Sequence, residues 1–285
     1  MKLLRYGPPG AERPAMLDDD GTIRDLSAHV ADLGGDVLSP AWLAAIAMID
    51  PRSLPAVASD VRIGACIARP GKFICLGLNY HCNAAALKQD LPPEPVIAMK
   101  PLSAICGAHD GIELPRGSES TDWEVELGVV IGTRAKYIDQ AKAMDHVAGY
   151  CLINDLADRE LQSKRGGDTS KGRGHDSFGP IGPYFVPAAS IPDPHNLRLW
   201  LDVDGERLQD GTTADMAYGV AFLVAYLSQF MTLLPGDIIS TGTPAGIGVG
   251  MNPPRFLKAG QTVRLGAEGL GEQYHRVRTS LDAAA

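Results

Sequence analysis

Residues 121–132, TDWEVELGVVIG, set three carboxylates at alternate positions directly before an apolar run. Successive side chains of a strand point to opposite faces. Asp122, Glu124 and Glu126 therefore share one face, and Trp123, Val125 and Leu127 share the other. Past Gly128 the run VVI no longer alternates, which is the pattern of a strand covered on both sides. Clustered acids leading into such a strand repel one another and resist desolvation, and a divalent cation is the simplest counter-charge. The same alternation also describes a polar edge strand whose acids face water, and by itself that is the commoner meaning.

The 285 residues suffice for one large domain, or for one domain with a small appendage. A net charge of −8 and a sequence pI of about 5.3 argue against nucleic acid as a partner, because phosphate binding needs a basic surface. No stretch approaches the run of about 20 apolar residues that a membrane span requires. The N-terminal MKLLRYGPPG lacks the apolar segment of a signal peptide. Five cysteines, odd in number and without metal-ligand spacing, read as reduced thiols. Together these features predict a cytoplasmic protein.

Residues 1–70 read as a small separate unit: short strands around the turn DDDG, then a helix after Ser39-Pro40 that stops at Asp50-Pro51. Residues 71–285 form the larger unit. KFICLGLNY and VIAMKP are strand-like, and HCNAAALKQD between them reads as a short helix or a lid. DQAKAMDHVAGY is predicted to be a helix ending at Gly149. CLIND is predicted to be a strand with Asp155 at its end, where Asp155 could also serve as a helix N-cap. GGDTSKGRGHD reads as a flexible basic loop and lacks the GK[ST] of a nucleotide P-loop. LRLWLDVDGERLQDG is a hairpin turning at Asp204-Gly205, and DMAYGVAFLVAYLSQF is a core helix apolar nearly all round. In PGDIISTGTPAGIG the glycines bring backbone close to a neighbour, and Thr241 and Thr243 offer hydroxyls to an anion. Many short strands, few helices and no regular βαβ alternation predict a β-rich α+β architecture, with a barrel- or sandwich-type core.

Six segments occur in one order: GLNY at 77–80, EPVIAMKP at 94–101, DWEVELGVVIG at 122–132, the ND of INDLADRELQ at 153–162, GHDSFGPIGP at 174–183 and PGDIISTGTPAGIG at 235–248. In that order they resemble the fumarylacetoacetate hydrolase family. The resemblance implies a mixed β-roll core, a small N-terminal domain, a homodimer and a Mg²⁺ or Mn²⁺ ion. It puts the metal ligands on Glu124, Glu126 and Asp155 and displaces the edge-strand and N-cap readings of those residues. It implies a 2-oxo acid or diketo acid substrate, anchored by Arg159, Gln162 and Thr243, with Gln209 facing its distal part.

Two departures bear on the reaction. The family's loop lysine is Arg173 here, and an arginine does not exchange protons near neutral pH; Lys171 is the neighbouring candidate. The lid's water-activating His and Glu fall on Asn83 and Ala86, neither of which can act as a base, and this leaves His81 as the candidate replacement. Three functions are consistent with these residues. The first is hydrolysis of a C–C bond in an acylpyruvate-like acid. The second is tautomerisation, isomerisation or decarboxylation of a 2-oxo acid such as oxaloacetate. The third is a metal-bound pseudoenzyme that holds a dicarboxylate.

Overall fold

The computed structural model describes residues 1–280. Its central layer is a six-stranded mixed sheet in the order Val186–Pro187, Val147–Asn154, Val125–Ile131, Ile238–Ser240, Phe73–Gly77, Val96–Met99. A second sheet of five strands runs Glu206–Thr212, Arg198–Val203, Thr262–Ala267, Gly271–Thr279, Ile112–Leu114. This β-rich arrangement agrees with the architecture expected from the sequence.

The acidic strand lies inside the central sheet. All seven residues of Val125–Ile131 are buried. Leu127, Val129 and Ile131 join one apolar cluster, and Val130 joins another on the opposite face. A strand covered on both sides cannot keep a polar stripe, which is why VVI does not alternate. Pairing breaks briefly at Trp123 and Glu124, between a two-residue strand at Thr121–Asp122 and the longer one.

Residues 2–25 form a three-stranded antiparallel sheet, and the helix beyond them spans Pro40–Ala47. Their apolar side chains, among them Leu3, Met16 and Leu43, pack in one cluster with Phe73, Ile153 and Ile238 of the central sheet. The hairpin turns at Asp204 and Gly205, both at positive φ (52° and 82°), as a two-residue hairpin turn with matching twist requires.

Three local expectations are corrected. The predicted helix before Gly149 is a 3-10 turn at Gln140–His146, and residues 147–149 already belong to the next strand. Val147 pairs with Ile131 across an antiparallel connection, and the ladder claims these residues over their helical tendency. The predicted flexible loop contains a five-residue helix, Thr169–Arg173, capped by Asp168, whose carboxylate accepts from the Ser170 N–H at 2.8 Å. The apolar helix Val220–Phe230 is only half in the core: Leu223, Val224 and Leu227 are buried, whereas Phe222 and Tyr226 are half-buried and Phe230 is exposed.

Candidate metal centre

Register brings the three acids together. In the antiparallel pair, Glu126 lies opposite Ile153 and Val125 opposite Asn154, so the next step sets Asp155 beside Glu124. The Asp155 N–H donates to the Glu124 carbonyl at 2.9 Å. One carboxylate oxygen from each of Glu124, Glu126 and Asp155 lies within 4.8 Å of the others, and all three residues are buried. The Phe73–Gly77 and Ile238–Ser240 strands run parallel and end at the same edge of the sheet, so their following loops close around the acids.

Each carboxylate is held differently. Glu126 Oε2 accepts from Ser240 Oγ at 2.6 Å and from the Gly242 N–H at 2.7 Å. Glu124 accepts from Arg159 Nη2 at 2.6 Å and from Arg173 Nη1 at 2.8 Å. Asp155 pairs with Lys100 Nζ at 2.9 Å and with Arg173. Burial opposes the charged form of Asp155, yet Arg173 and Lys100 hold its carboxyl well below the usual range. Glu126 has no ion pair among the described residues. Burial first, then repulsion from Asp155 and Glu124, pushes its carboxyl well above the ordinary value. A buried carboxylate cluster left short of positive charge fits a cation, and its hard oxygen donors suit Mg²⁺ or Mn²⁺.

Asp122 shares the face of Glu124 but belongs to the support around the acids. Fully buried, it accepts from Arg159 Nε at 2.8 Å and from the N–H groups of Gly248 and Val249 at 2.7 and 3.0 Å. It thereby ties the guanidinium to the glycine loop. That loop approaches the hairpin so closely that a Cβ on Gly246 (φ +104°) would lie 1.9 Å from the Leu208 carbonyl oxygen.

A cavity of about 410 Å³ opens on these groups, with Glu124, Arg159, Gln162 and Arg173 beside Asn83 and Ile247. Its size suits a small organic acid. A larger cavity of about 530 Å³, lined by Arg116, Asp158 and His175, contains none of the three acids, so the smaller one is the candidate site.

The remaining sequence candidates separate. Arg173 is buried against the acids, whereas Lys171, two positions earlier, is exposed and donates to the Arg165 carbonyl of its own segment. Residues two apart on a helix do not face the same way. Arg159 is on the cavity wall, and its Nη1 donates to Gln162 Oε1 at 3.1 Å. Gln209 and Thr243 do not line the cavity. Gln209 accepts from the Val125 N–H at 3.0 Å and donates to Thr243 Oγ1 at 2.8 Å and to the Pro244 carbonyl at 2.9 Å. Thr243 in turn donates to the Val125 carbonyl at 2.8 Å. In the lid helix His81–Leu87, His81 and Ala86 are exposed, and Asn83 is buried on the cavity wall.

Lys100 was not singled out from the sequence. It is buried at the end of its strand and donates to the carbonyls of Leu156, Arg173 and Phe178 at 2.8–3.0 Å, besides pairing with Asp155. The run VIAM gave no signal of it, because that edge strand is itself largely exposed and only the lysine at its end is buried.

The fumarylacetoacetate (FAA) hydrolase C-terminal family model matches residues 72–278. The chain belongs to the fumarylacetoacetate hydrolase family. A protein of Burkholderia orbicola (strain MC0-3) named "Putative hydrolase" is 59% identical over 98% of this chain and 100% of its own length. Among solved structures, fumarylacetoacetate hydrolase from the psychrophilic Exiguobacterium antarcticum superposes with a TM-score of 0.88 at 31% identity, over 98% of this chain and 99% of that one. Maleylpyruvate hydrolase from Sphingobium sp. SYK-6, solved in complex with manganese(II) and pyruvate, superposes with a TM-score of 0.81 at 25% identity, over 98% of this chain and 99% of that one. In this fumarylacetoacetate hydrolase fold, no helix among the described residues is long and apolar enough to cross a membrane.

Proposed function

We propose that this protein is a Mg²⁺- or Mn²⁺-dependent enzyme that hydrolyses a C–C bond of an acylpyruvate-like 2-oxo acid, with Glu124, Glu126 and Asp155 as metal ligands. The observation that carries the reading is the convergence of these buried carboxylates, with oxygens within 4.8 Å, beside a cavity holding two guanidinium groups. When bound, the ion supplies Lewis-acid stabilisation of the enolate left by bond cleavage. Arg159, held in place by Asp122, presents its guanidinium to a substrate carboxylate. Arg173 adds a fixed positive charge next to the oxygens that become negative, and it stays charged throughout. The glycine loop, positioned by Thr243 and Gln209, closes the cavity around the acid. In this reading residues 1–70 support the catalytic unit, and the protein works as a cytoplasmic homodimer.

A second reading has its own observation. The lid helix turns Asn83 to the cavity and leaves His81 and Ala86 exposed, so no acid–base side chain of that helix lines the cavity, whose one lid carboxylate, Asp90, follows the helix. Tautomerisation or decarboxylation of a 2-oxo acid needs the electron sink and the anion clamp but no activated water. One experiment separates the two. The Mn²⁺-loaded protein is incubated with an acylpyruvate and with oxaloacetate, and products are followed by NMR. Pyruvate plus a second carboxylic acid supports hydrolysis. Loss of CO₂ or keto–enol exchange supports the second reading. No change in either acid overturns both.

A further inference from the structure

We infer that Asp90 selects the substrate by charge: the acid this cavity takes is a 2-oxo acid with one carboxylate and an uncharged tail, and a second carboxylate at the far end of the chain is disfavoured. The inference rests on the proposed metal and 2-oxo acid reading of the same cavity. Asp90 follows the lid helix His81–Leu87 and is fixed from both sides. Lys88 ends the helix in the left-handed region (φ +54°), and the N–H groups of Lys88 and Gln89 donate to the carbonyls of Ala85 and Ala84 at 3.1 and 3.0 Å. Past Asp90, the Pro92 carbonyl accepts from the Tyr218 hydroxyl at 2.6 Å. Between these anchors Asp90 is exposed, lines the cavity and has no hydrogen-bond or ion-pair partner among the described residues.

The charged side chains on the cavity wall are Asp90, Glu124, Arg159 and Arg173. Both arginines are committed to the acid end. Arg159 donates to Asp122, Glu124 and Gln162, and Arg173 donates to Glu124 and pairs with Asp155. One substrate carboxylate is therefore provided for, and no cation of the wall is left for another. Lys88, two positions before Asp90, does not line the cavity. The other wall residues include Leu78, Leu87, Val96 and Ile247, which suit a hydrocarbon tail. A second carboxylate on that tail would give up water against apolar side chains and meet the like charge of Asp90. An unpaired like charge is a standard means of rejecting the wrong ligand, whereas an uncharged tail loses nothing there.

Calorimetry on the Mn²⁺-loaded full chain tests this with oxalate, 2-oxohexanoate and 2-oxohexanedioate, the last two being six-carbon chains that differ in the charge at the far end. The wild-type protein is expected to bind 2-oxohexanoate about fivefold or more tighter than the diacid. Asp90→Asn narrows that gap by about threefold or more, and Asp90→Lys closes or reverses it. Oxalate, which has no tail, binds alike in all three proteins. Two variants are used so that misfolding of one leaves the comparison intact. Absence of a preference for 2-oxohexanoate in the wild-type protein overturns the inference, as does a gap that stays unchanged when the charge of Asp90 is removed or reversed. Failure of oxalate to bind the wild-type protein overturns the metal reading beneath it, and this inference with it.

Discussion

Arg173 Nη1 donates to Glu124 Oε2 at 2.8 Å while the same guanidinium pairs with Asp155. One buried arginine therefore neutralises two of the three acids proposed to bind metal, and although burial works against its charge, Asp155 and Glu124 hold it firmly charged. A divalent ion placed among the same oxygens is repelled by that charge. Arg173→Gln is accordingly expected to bind Mn²⁺ about tenfold tighter, equivalent to about 1.4 kcal/mol, and to lose turnover. Titration calorimetry reads the affinity. Unchanged or weaker binding would show that Arg173 supports the ion instead of competing with it.

Asp122 orients Arg159 and anchors Gly248 and Val249 without belonging to the metal cluster. Asp122→Asn removes the charge that fixes the guanidinium. The KM for a 2-oxo acid substrate is expected to rise about tenfold or more, with a smaller change in Mn²⁺ affinity. Steady-state kinetics beside metal titration check this. A loss of metal affinity as large as that of Glu126→Ala would make Asp122 a ligand.

Gln209 bonds the Val125 N–H, the Thr243 hydroxyl and the Pro244 carbonyl in a fully buried place. Gln209→Leu fills similar space but strands three polar groups. Urea unfolding is expected to register a loss of about 2–4 kcal/mol. A variant as stable as the wild type would mean that these groups find other partners.

The N-terminal segment is tied to the rest of the chain by Arg62, which donates to the two carboxylate oxygens of Asp110 at 2.8 and 2.6 Å. Burial works against the charge of Asp110, but Arg62 and the Gly107 N–H hold its carboxyl below the ordinary value. A carboxylate with a lowered folded pKa stabilises the fold above its unfolded pKa, near 4, and loses that contribution as pH falls through the folded value. At pH 7, Asp110→Asn is expected to be about 2 kcal/mol less stable than wild type. The gap closes as pH is lowered from about 4 through the folded value. Denaturation at several pH values checks it, and a gap independent of pH would assign the loss to packing.

Much of the candidate centre was legible in the sequence. The pair Glu124 and Glu126 could be read from alternation, because a strand's period of two is local. The hairpin could be read from Asp-Gly for the same reason, and Asp204 and Gly205 adopt the positive φ that the turn requires. Asp155 needed the order of companion motifs, because it meets Glu124 only through pairing of two separate strands.

Other assignments depended on three-dimensional neighbours. Position in the chain does not distinguish Lys171 from Arg173; the direction of a five-residue helix does. Gln209 is an amide on a hairpin until the glycine loop packs over it. Lys100 becomes part of the centre only because its strand ends where Asp155 ends another. Local chemistry thus determined which residue types were present and which face of the strand they shared. Tertiary packing decided which acids were left short of positive charge, which basic group reached them and which lid residue faced the cavity, because burial and charge compensation are set by neighbours distant in the chain.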